Sequence, residues 1–312
     1  MATELKLKEL SKKEILFTSG HRLCAGCGAA IVVKMVLLAA ADYPLVACSS
    51  TGCLEVASCI SEYTAWKIPW IHSAFENAGA TLSGVETMYR ALKKKGKFEP
   101  EVKFIAFGGD GGTYDIGLQS LSGAMERGHD LLYICYDNGA YMNTGIQRSS
   151  ATPLGANTTT SPAGSVIPGK LQRRKDLTRI MAAHGIPYAA QAAPGHWTDL
   201  MKKVRKALAI KGPKFINILS PCNRGWRSRL DDAIMLSKLA VQTCYWPLYE
   251  IEDGVTRITF KPKEKKPIEE FLKPQGRFKH LFDPENEWIV KRFQEDIDRE
   301  WERLQKEESL YT

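Results

Sequence analysis

The stretch "KFIAFGGDGGTYD", residues 103–115, decides the fold that this sequence predicts. An apolar run enters a glycine-rich turn that holds one acidic residue, Asp110, and residues 116–129 then carry apolar side chains three and four positions apart. A second apolar run, "LLYICYDN", follows at residues 131–138. A strand, a helix and a strand in this order form a βαβ unit, in which the two strands are parallel.

The same alternation of apolar runs and helical patterns extends in both directions. Upstream, the sequence predicts a helix over 29–41, a strand within 43–50 and a helix over 74–97 that ends in lysines and a glycine. Downstream, three segments repeat the alternation: "LTRIMAAHGIPYAAQA" (177–192), "HWTDLMKKVRKALAIKG" (196–212) and "PKFINILSPC" (213–222). We therefore predict an α/β fold with a mostly parallel sheet flanked by helices.

Changes in composition divide the chain into two parts. Residues 1–244 carry the alternation and are predicted to form the α/β domain. Residues 245–312 are rich in charge and end in an amphipathic helix, so we predict a C-terminal extension that packs on the core or on a partner subunit. Residues 154–175 are rich in Thr, Gly and Pro, and we predict a long loop there, a feature that is usually functional or disordered.

Composition limits the classes of function. The 312 residues are 44% hydrophobic and 25% charged, as in a globular protein, and no run approaches the roughly 20 apolar residues of a membrane span. The net charge of +8 predicts a basic surface, but no basic patch interleaved with aromatic residues points to nucleic acid. The start of the chain mixes Glu with Lys and has no apolar signal segment, so we expect a cytoplasmic protein.

The glycine-rich turn predicts a site for phosphate and a metal ion. Glycines let the backbone approach a diphosphate, but the carboxylate of Asp110 would repel it unless a divalent cation lay between them. Asn138 follows the next strand, so parallel pairing would bring it close to Asp110, and oxygen ligands of this kind suit Mg²⁺. The pattern resembles the magnesium–diphosphate motif of thiamine diphosphate enzymes. The alternative is an ordinary turn with a capping Asp and an Asn-Gly pair.

Cysteines supply a second signal. Cys24 and Cys27 form a Cys-x-x-Cys pair, and Cys53 and Cys222 each follow a predicted strand, at the edge where open α/β sheets bind ligands. Four thiolates suffice for a [4Fe–4S] cluster, although zinc also takes four and a Cys-x-x-Cys pair can be a redox dithiol. The other four cysteines are expected to be small core residues: Cys48, Cys59, Cys135 and Cys244.

Together these motifs resemble those of one family, over nearly the whole chain. "GHRLCAGCG", "TGCLEV", "GGDGGTYDIGLQSLSGAMERGH", "YDNGAYMNTGIQRS" and "SPCNRGW" are similar to the beta subunit of pyruvate:ferredoxin oxidoreductase and other 2-oxoacid:ferredoxin oxidoreductases, including the oxalate branch. The resemblance implies a thiamine diphosphate fold and oxidative decarboxylation of a 2-oxoacid, with electrons passing through a [4Fe–4S] cluster to external ferredoxin. It also implies partners: an alpha subunit with the pyrimidine-binding domain and the activating Glu, and gamma and delta subunits including a ferredoxin-type subunit.

The resemblance assigns roles to residues of this chain. The cluster ligands it implies are Cys24, Cys27, Cys53 and Cys222. The Mg²⁺ ligands it implies are Asp110, Asn138 and the backbone carbonyl of Ala140. The residues it places on the diphosphate or elsewhere on the cofactor are Gly109, Gly111, Gly112, Thr51, Gly52, Asn143 and Thr144. Of these, Asn143 and Thr144 would face the thiazolium and the substrate, and Asn143 is the candidate for catalytic contact with the substrate.

The substrate stays open between pyruvate, with coenzyme A as co-substrate, and oxalate, which needs none. Many pyruvate-type beta subunits have Glu after the metal-binding Asn, whereas this chain has Gly139. Two other classes also stay open: a subunit of a non-oxidative thiamine diphosphate decarboxylase or carboligase, and a non-catalytic iron–sulfur electron-transfer subunit. The second predicts no bound thiamine diphosphate and leaves Asp110 and Asn138 without a role.

Overall fold

Eight strands form one sheet in the computed structural model, which describes residues 5–60 and 62–311. They are β1 Leu45–Ser50, β2 Trp70–Ser73, β3 Lys103–Gly109, β4 Leu132–Asp137, β5 Tyr188–Ala192, β6 Lys214–Leu219, β7 Leu248–Glu252 and β8 Val255–Phe260. Their spatial order is β2-β1-β3-β4-β6-β5-β7-β8. The first six strands in this order pair in parallel, and β7 and β8 are antiparallel to their neighbours. The predicted mostly parallel α/β fold is therefore confirmed.

Helices flank this sheet on both faces. They are α1 Leu7–Leu10, α2 Gly28–Ala40, α3 Cys53–Ser58, α4 Ala78–Lys94, α5 Leu118–Glu126, α6 Leu177–Ala182, α7 Trp197–Ala209, α8 Asn223–Trp226, α9 Ala233–Gln242, α10 Glu269–Leu272 and α11 Glu287–Ser309. Short 3₁₀ turns lie at Pro194–His196, Gly276–Phe282 and Pro284–Asn286. No helix in the described part of the chain is both long enough and apolar enough to cross a membrane.

The predicted βαβ unit positions the site. β3 and β4 are parallel neighbours, with Gly109 opposite Tyr136. Asp110 and Asn138, just beyond the ends of these two strands, therefore emerge at the same edge of the sheet. The connecting helix differs from the prediction, because a π-helical turn at Gly111–Asp115 precedes α5. Turns of this kind are frequent at functional sites.

Two apolar layers hold the sheet. On one face α2 and α7 pack together, with Val36 and Val204 fully buried against Ile134 of the sheet. On the other face, the helices α4, α5 and α6 cover a second cluster that includes Phe215 and Tyr133. The continuous burial of β4 and β6 explains why both strands read as uninterrupted apolar runs.

Residues 245–311 extend this architecture. β7 pairs with β5, β8 pairs with β7, and α11 packs on β8. A third apolar cluster joins this region to the core through Trp246 and Phe271, both fully buried. One sheet contains strands from both sides of the predicted boundary at 244/245, and the division of the chain into two parts stays a prediction. Residues 1–4, 61 and 312 lie outside the described part of the chain.

The predicted loop at 154–175 contains neither helix nor strand. Its two ends are joined where Gly155 N–H donates to Lys170 O at 2.7 Å and Lys170 N–H donates to Ala156 O at 3.2 Å. The Lys170 ammonium is buried and donates to the carbonyl of Thr152. The loop is thereby held against the segment that follows β4.

Candidate active site

A cleft at the carboxyl edge of β1, β3 and β4 brings together every residue that the family resemblance assigned to the cofactor. The predicted residues that line it are Thr51, Gly52, Gly109, Asp110, Gly111, Gly112, Asn138, Ala140, Asn143 and Thr144, together with Cys53. Four further lining residues were not predicted: Phe75, Tyr136, Tyr141 and Met142. The roles of the predicted residues as ligands stay a prediction, whereas their shared location in the cleft is observed.

The glycines of the turn are required by close packing. A Cβ atom on Gly111 would lie 2.5 Å from the ring of Tyr141, and one on Gly112 would lie 3.0 Å from the carbonyl oxygen of Phe75. Larger side chains would also cover the backbone of the turn. The turn therefore tolerates no side chain at these two positions, and its backbone lies at the cleft, where phosphate could approach it.

Three oxygen-bearing groups converge where the sequence predicts a metal ion. One terminal atom of the Asn138 side-chain amide lies 2.9 Å from both Asp110 Oδ1 and Ala140 O. Around octahedral Mg²⁺, with bonds of about 2.1 Å, adjacent ligand oxygens lie about 3.0 Å apart. The three residues therefore fit a magnesium ion. With its nitrogen at that position, the amide would donate to both oxygens, which is the arrangement expected in the metal-free protein.

The electrostatics of Asp110 also favour a cation. Its side chain is buried, and burial, with the nearby Asp137 carboxylate as a smaller cause, raises the pKa of Asp110 well above its usual range. Ser149 Oγ donates a hydrogen bond to its carboxylate at 2.6 Å, and the backbone N–H of Asn138 donates another at 3.2 Å. These two neutral donors compensate a buried negative charge only in part, and a divalent cation would complete the compensation.

The segment after β4 is fixed from several sides. Trp226 Nε1 donates to Asn138 O at 2.7 Å, and Thr152 Oγ1 donates to Gly139 O at 2.7 Å. Gly139 has a φ of +76°, in the left-handed region that favours glycine. The Gly at this position, where the resemblance led us to expect Glu, is therefore the residue that the backbone of this turn accommodates without strain.

Asp137 also stabilises the turn that follows β4, because its carboxylate accepts a hydrogen bond from the backbone N–H of Gly139. Its carboxylate accepts a hydrogen bond from Arg174 at 2.7 Å and another from Tyr114 at 2.6 Å. Arg174 also lies over the ring of Trp246, with 4.4 Å from its guanidinium carbon to the ring centroid. Sequence reasoning missed this group, because Arg174 belongs to the long loop and reaches Asp137 only through the tertiary fold.

The four predicted cluster cysteines meet beside this cleft. Cys27 and Cys24 are close enough to Cys53 to help raise the pKa of its thiol, and Cys27 and Cys53 do the same for Cys222. Two contacts join the loops that carry the cysteines. Gly28 N–H donates to Pro221 O at 3.0 Å, and Asn223 Nδ2 donates to Ala25 O at 2.7 Å.

The spacing of the thiols bears on the zinc alternative. Among described residues, no three of these thiols lie within 4.8 Å of one another, whereas the sulfurs of tetrahedral zinc are about 3.8 Å apart. Burial raises the pKa of Cys27, whereas the reactive thiol of a redox dithiol has a lowered pKa. The assignment of an iron–sulfur cluster to these four cysteines stays a prediction.

Asn143 and Thr144 lie on the exposed rim of the cleft. The Asn143 side chain lies near the thiol of Cys53 and lowers its pKa, an effect smaller than the rise that burial causes. Thr144 Oγ1 donates to Gln147 Oε1 at 2.6 Å. A predicted cofactor residue and a predicted cluster ligand are therefore neighbours on this rim.

The remaining cysteines do not all follow the prediction. Cys48, Cys135 and Cys244 are buried, as expected. Cys59 is partly exposed, and its thiol donates to Glu55 Oε1 at 3.2 Å. The core assignment of Cys59 was wrong, because α3 ends at Ser58 and Cys59 follows as its partly exposed C-cap residue.

Comparison with known proteins identifies the class of this fold and cleft. The thiamine pyrophosphate enzyme family, C-terminal TPP binding domain, matches residues 46–218, which hold β1 to β6 and the whole cleft. In fold, the chain is similar to 2-oxoglutarate:ferredoxin oxidoreductase from Magnetococcus marinus, solved with 2-oxoglutarate, coenzyme A and succinyl-CoA bound. The TM-score is 0.55 at 21% identity, over 76% of this chain and 81% of that chain.

Relatives of higher sequence identity show which family of thiamine diphosphate enzymes the chain belongs to. The chain is 57% identical over 302 residues to pyruvate synthase subunit PorB of Thermotoga maritima, covering 95% of this chain and 93% of that protein. It is 57% identical over 281 residues to the PorB subunit of Methanocaldococcus jannaschii, covering 89% and 94%. It is 46% identical over 295 residues to ketoisovalerate oxidoreductase subunit VorB of Pyrococcus abyssi, covering 93% and 92%. The chain therefore belongs to the beta subunits of the 2-oxoacid:ferredoxin oxidoreductase family.

Proposed function

We propose that this beta subunit oxidises pyruvate in a complex that holds thiamine diphosphate, Mg²⁺ and a [4Fe–4S] cluster and delivers electrons to external ferredoxin. The observation that carries the proposal is the single cleft in which the glycine turn, three convergent oxygen groups and Cys53 lie side by side. The names of the PorB relatives support pyruvate as the substrate. Coenzyme A is then the co-substrate that accepts the acyl group.

Each group of residues has a separate task in this proposal. Asp110, Asn138 and Ala140 would hold Mg²⁺, and the glycine turn would bind the diphosphate with its peptide groups. Cys24, Cys27, Cys53 and Cys222 would hold the cluster. The chemistry supplied by bound thiamine diphosphate is a carbon nucleophile and an electron sink for decarboxylation, and that supplied by the cluster is one-electron transfer.

The cleft also supports a partner chain. Among the described residues that line it, Asp110 is the only carboxylate, and the proposal uses it for the metal. A carboxylate that activates the cofactor must then come from an alpha subunit. Gamma and delta subunits, one of them of the ferredoxin type, would carry the electrons onward. We propose that the catalytic complex is cytoplasmic.

Asn143 is the residue of this chain that we propose for contact with the substrate. It is exposed on the rim, and its amide provides both a donor and an acceptor. Because it lies near Cys53, the same side chain would place the substrate close to the cluster. We expect Asn143→Ala to reduce turnover while leaving the iron content unchanged.

The test is reduction of the intact, anaerobic complex by 2-oxoacids. We would follow bleaching of iron–sulfur absorbance at about 400 nm with and without coenzyme A. Bleaching by pyruvate, with sustained turnover only when coenzyme A is added, supports the proposal. Oxalate and 3-methyl-2-oxobutanoate are the comparison substrates, and preference for either would reassign the substrate. No bleaching by any 2-oxoacid, in protein shown to hold thiamine diphosphate and iron, would refute the redox function.

Two cysteine variants form a matched pair for the cluster. Cys222→Ser removes a proposed ligand, whereas Cys244→Ser changes a buried cysteine that packs in the C-terminal apolar cluster. We expect the first to lose iron and the absorbance at about 400 nm, and the second to keep both. Equal iron content in the two variants would contradict the ligand assignment.

A further inference from the structure

Three metal-ligating side chains lie together outside the cleft. They are Glu55, Cys59 and His72, whose ligand atoms are all within 4.8 Å of one another. Glu55 and Cys59 belong to α3 and its end, and His72 belongs to the edge strand β2. None of the three is a proposed ligand of the cluster or of Mg²⁺.

The distances suit a single small cation. His72 Nδ1 lies 2.9 Å from Glu55 Oε1, and the Cys59 sulfur lies 3.2 Å from the same oxygen. Ligand atoms around tetrahedral zinc lie about 3.3 to 3.6 Å apart, as its bond lengths of about 2.0 to 2.3 Å require. The two contacts to Glu55 would therefore lengthen by a few tenths of an ångström, while the ligand atoms of His72 and Cys59 already lie within 4.8 Å of each other.

The surroundings hold the three ligands in place. The Glu55 side chain is 9% exposed, and its hydrogen-bonding partners are the Cys59 thiol and the His72 ring. The His72 ring stacks on Trp70, with centroids 5.2 Å apart. The end of α3 is fixed where Trp66 Nε1 donates to Ser58 Oγ at 2.8 Å. Packing and hydrogen bonds that orient ligands in this way are typical of metal sites.

The geometry points to a zinc site formed by Glu55, Cys59 and His72. One sulfur, one nitrogen and one oxygen ligand match the preferences of this divalent ion, and the half-exposed His72 leaves the fourth position open to water. In the metal-free protein the thiol is protonated, since burial and the Glu55 carboxylate raise the pKa of Cys59 to about 11. Zinc binding would release that proton to solvent.

The site would connect α3 and β2. α3 has only six residues, and its first is Cys53, a proposed cluster ligand. Zinc would tie the far end of α3 to β2 at the edge of the sheet. We therefore expect the ion to hold Cys53 in position without taking part in electron transfer.

The experiment counts zinc in the intact complex. Wild type, Cys59→Ser, His72→Gln and the matched control Cys244→Ser are titrated anaerobically with zinc against a chromophoric chelator, and zinc and iron per beta chain are measured by mass spectrometry. We expect wild type and the control to hold about one more zinc ion than the first two variants, with affinity lower by at least about tenfold in those variants. Iron content reports separately on the proposed cluster.

X-ray absorption at the zinc edge identifies the ligands. One sulfur at about 2.3 Å with nitrogen or oxygen at about 2.0 to 2.2 Å, lost in Cys59→Ser, supports the site. Equal zinc in wild type and both ligand variants overturns it and leaves Glu55 and His72 as a hydrogen-bonded pair beside a thiol. Zinc with four sulfur ligands also overturns it, because the metal would then occupy the proposed cluster cysteines.

Discussion

Gly28 provides a sharp test of how the cluster loops are assembled. A Cβ atom at this position would lie 2.5 Å from Pro221 O, 2.7 Å from Pro221 N and 2.8 Å from the carbonyl carbon of Ser220. Moving that oxygen out to 3.4 Å, where ordinary contact begins, needs a shift of about 0.9 Å. All three atoms are backbone, so no side-chain rotation relieves the clash. Gly28→Ala must therefore separate the loops that carry Cys27 and Cys222.

The magnitude follows from two opposing effects. Replacing Gly by Ala within a helix stabilises it by about 0.5–1 kcal/mol, while overpacking costs about 1–3 kcal/mol, and a clash with backbone falls at the upper end. Gly84→Ala is the matched control, since Gly84 is exposed on α4 with open space at its Cβ. We expect a net loss of about 2–2.5 kcal/mol for Gly28→Ala and a slight gain for the control.

The assay compares the two variants in the anaerobic complex. Thermal unfolding reports stability, and iron per beta chain with the absorbance at about 400 nm reports the cluster. We expect Gly28→Ala to melt at a lower temperature and to hold less iron, and Gly84→Ala to match wild type. If Gly28→Ala kept wild-type iron and stability, the close approach of the two loops would not matter for the site, and the reasoning would be refuted.

Three further changes test the electrostatics of the cleft. Burial raises the pKa of Asp110, so the metal-free native state keeps a carboxyl proton that the unfolded chain loses, and its stability falls as pH rises above about 4. Asp110→Asn should flatten this pH dependence in chemical denaturation. The same change should weaken Mg²⁺-dependent binding of thiamine diphosphate. Arg174→Met leaves Asp137 buried without its ion-pair partner and should cost about 3–5 kcal/mol in unfolding free energy. Trp226→Phe removes the donor to Asn138 O and should cost about 1–3 kcal/mol and weaken thiamine diphosphate binding measured by calorimetry.

Local patterns were enough to predict the centre of the fold. The apolar runs of β3 and β4 and the helix between them required parallel pairing, and the pairing placed Asp110 near Asn138. The packing of Phe75 and Tyr141 against the glycine turn has no local signature, because it depends on segments far apart in sequence. Arg174 illustrates the same limit, since only the tertiary fold brings the loop to Asp137.

The general tendency of cysteines to be buried gave a wrong prediction for Cys59, whose exposure depends on where one short helix ends. Free cysteines are buried more often than not, so the core was the expected place for Cys59. The short helix α3 ends at Ser58 instead, and the thiol meets Glu55 four residues earlier. Gly139 shows the converse: it departs from the family pattern, yet its φ of +76° makes glycine the residue that its turn favours.

A common electrostatic property links the two proposed centres. Burial raises the pKa of Asp110, Cys27, Cys53 and Cys222, so in the absence of cations each group is held toward its neutral form. Metal ions reverse this preference, because they compensate the charge that burial penalises. Binding free energy of the ions then becomes stability of the folded state. We therefore expect bound metal ions to stabilise this edge of the sheet, and each ion would displace the protons that burial favours in the metal-free form.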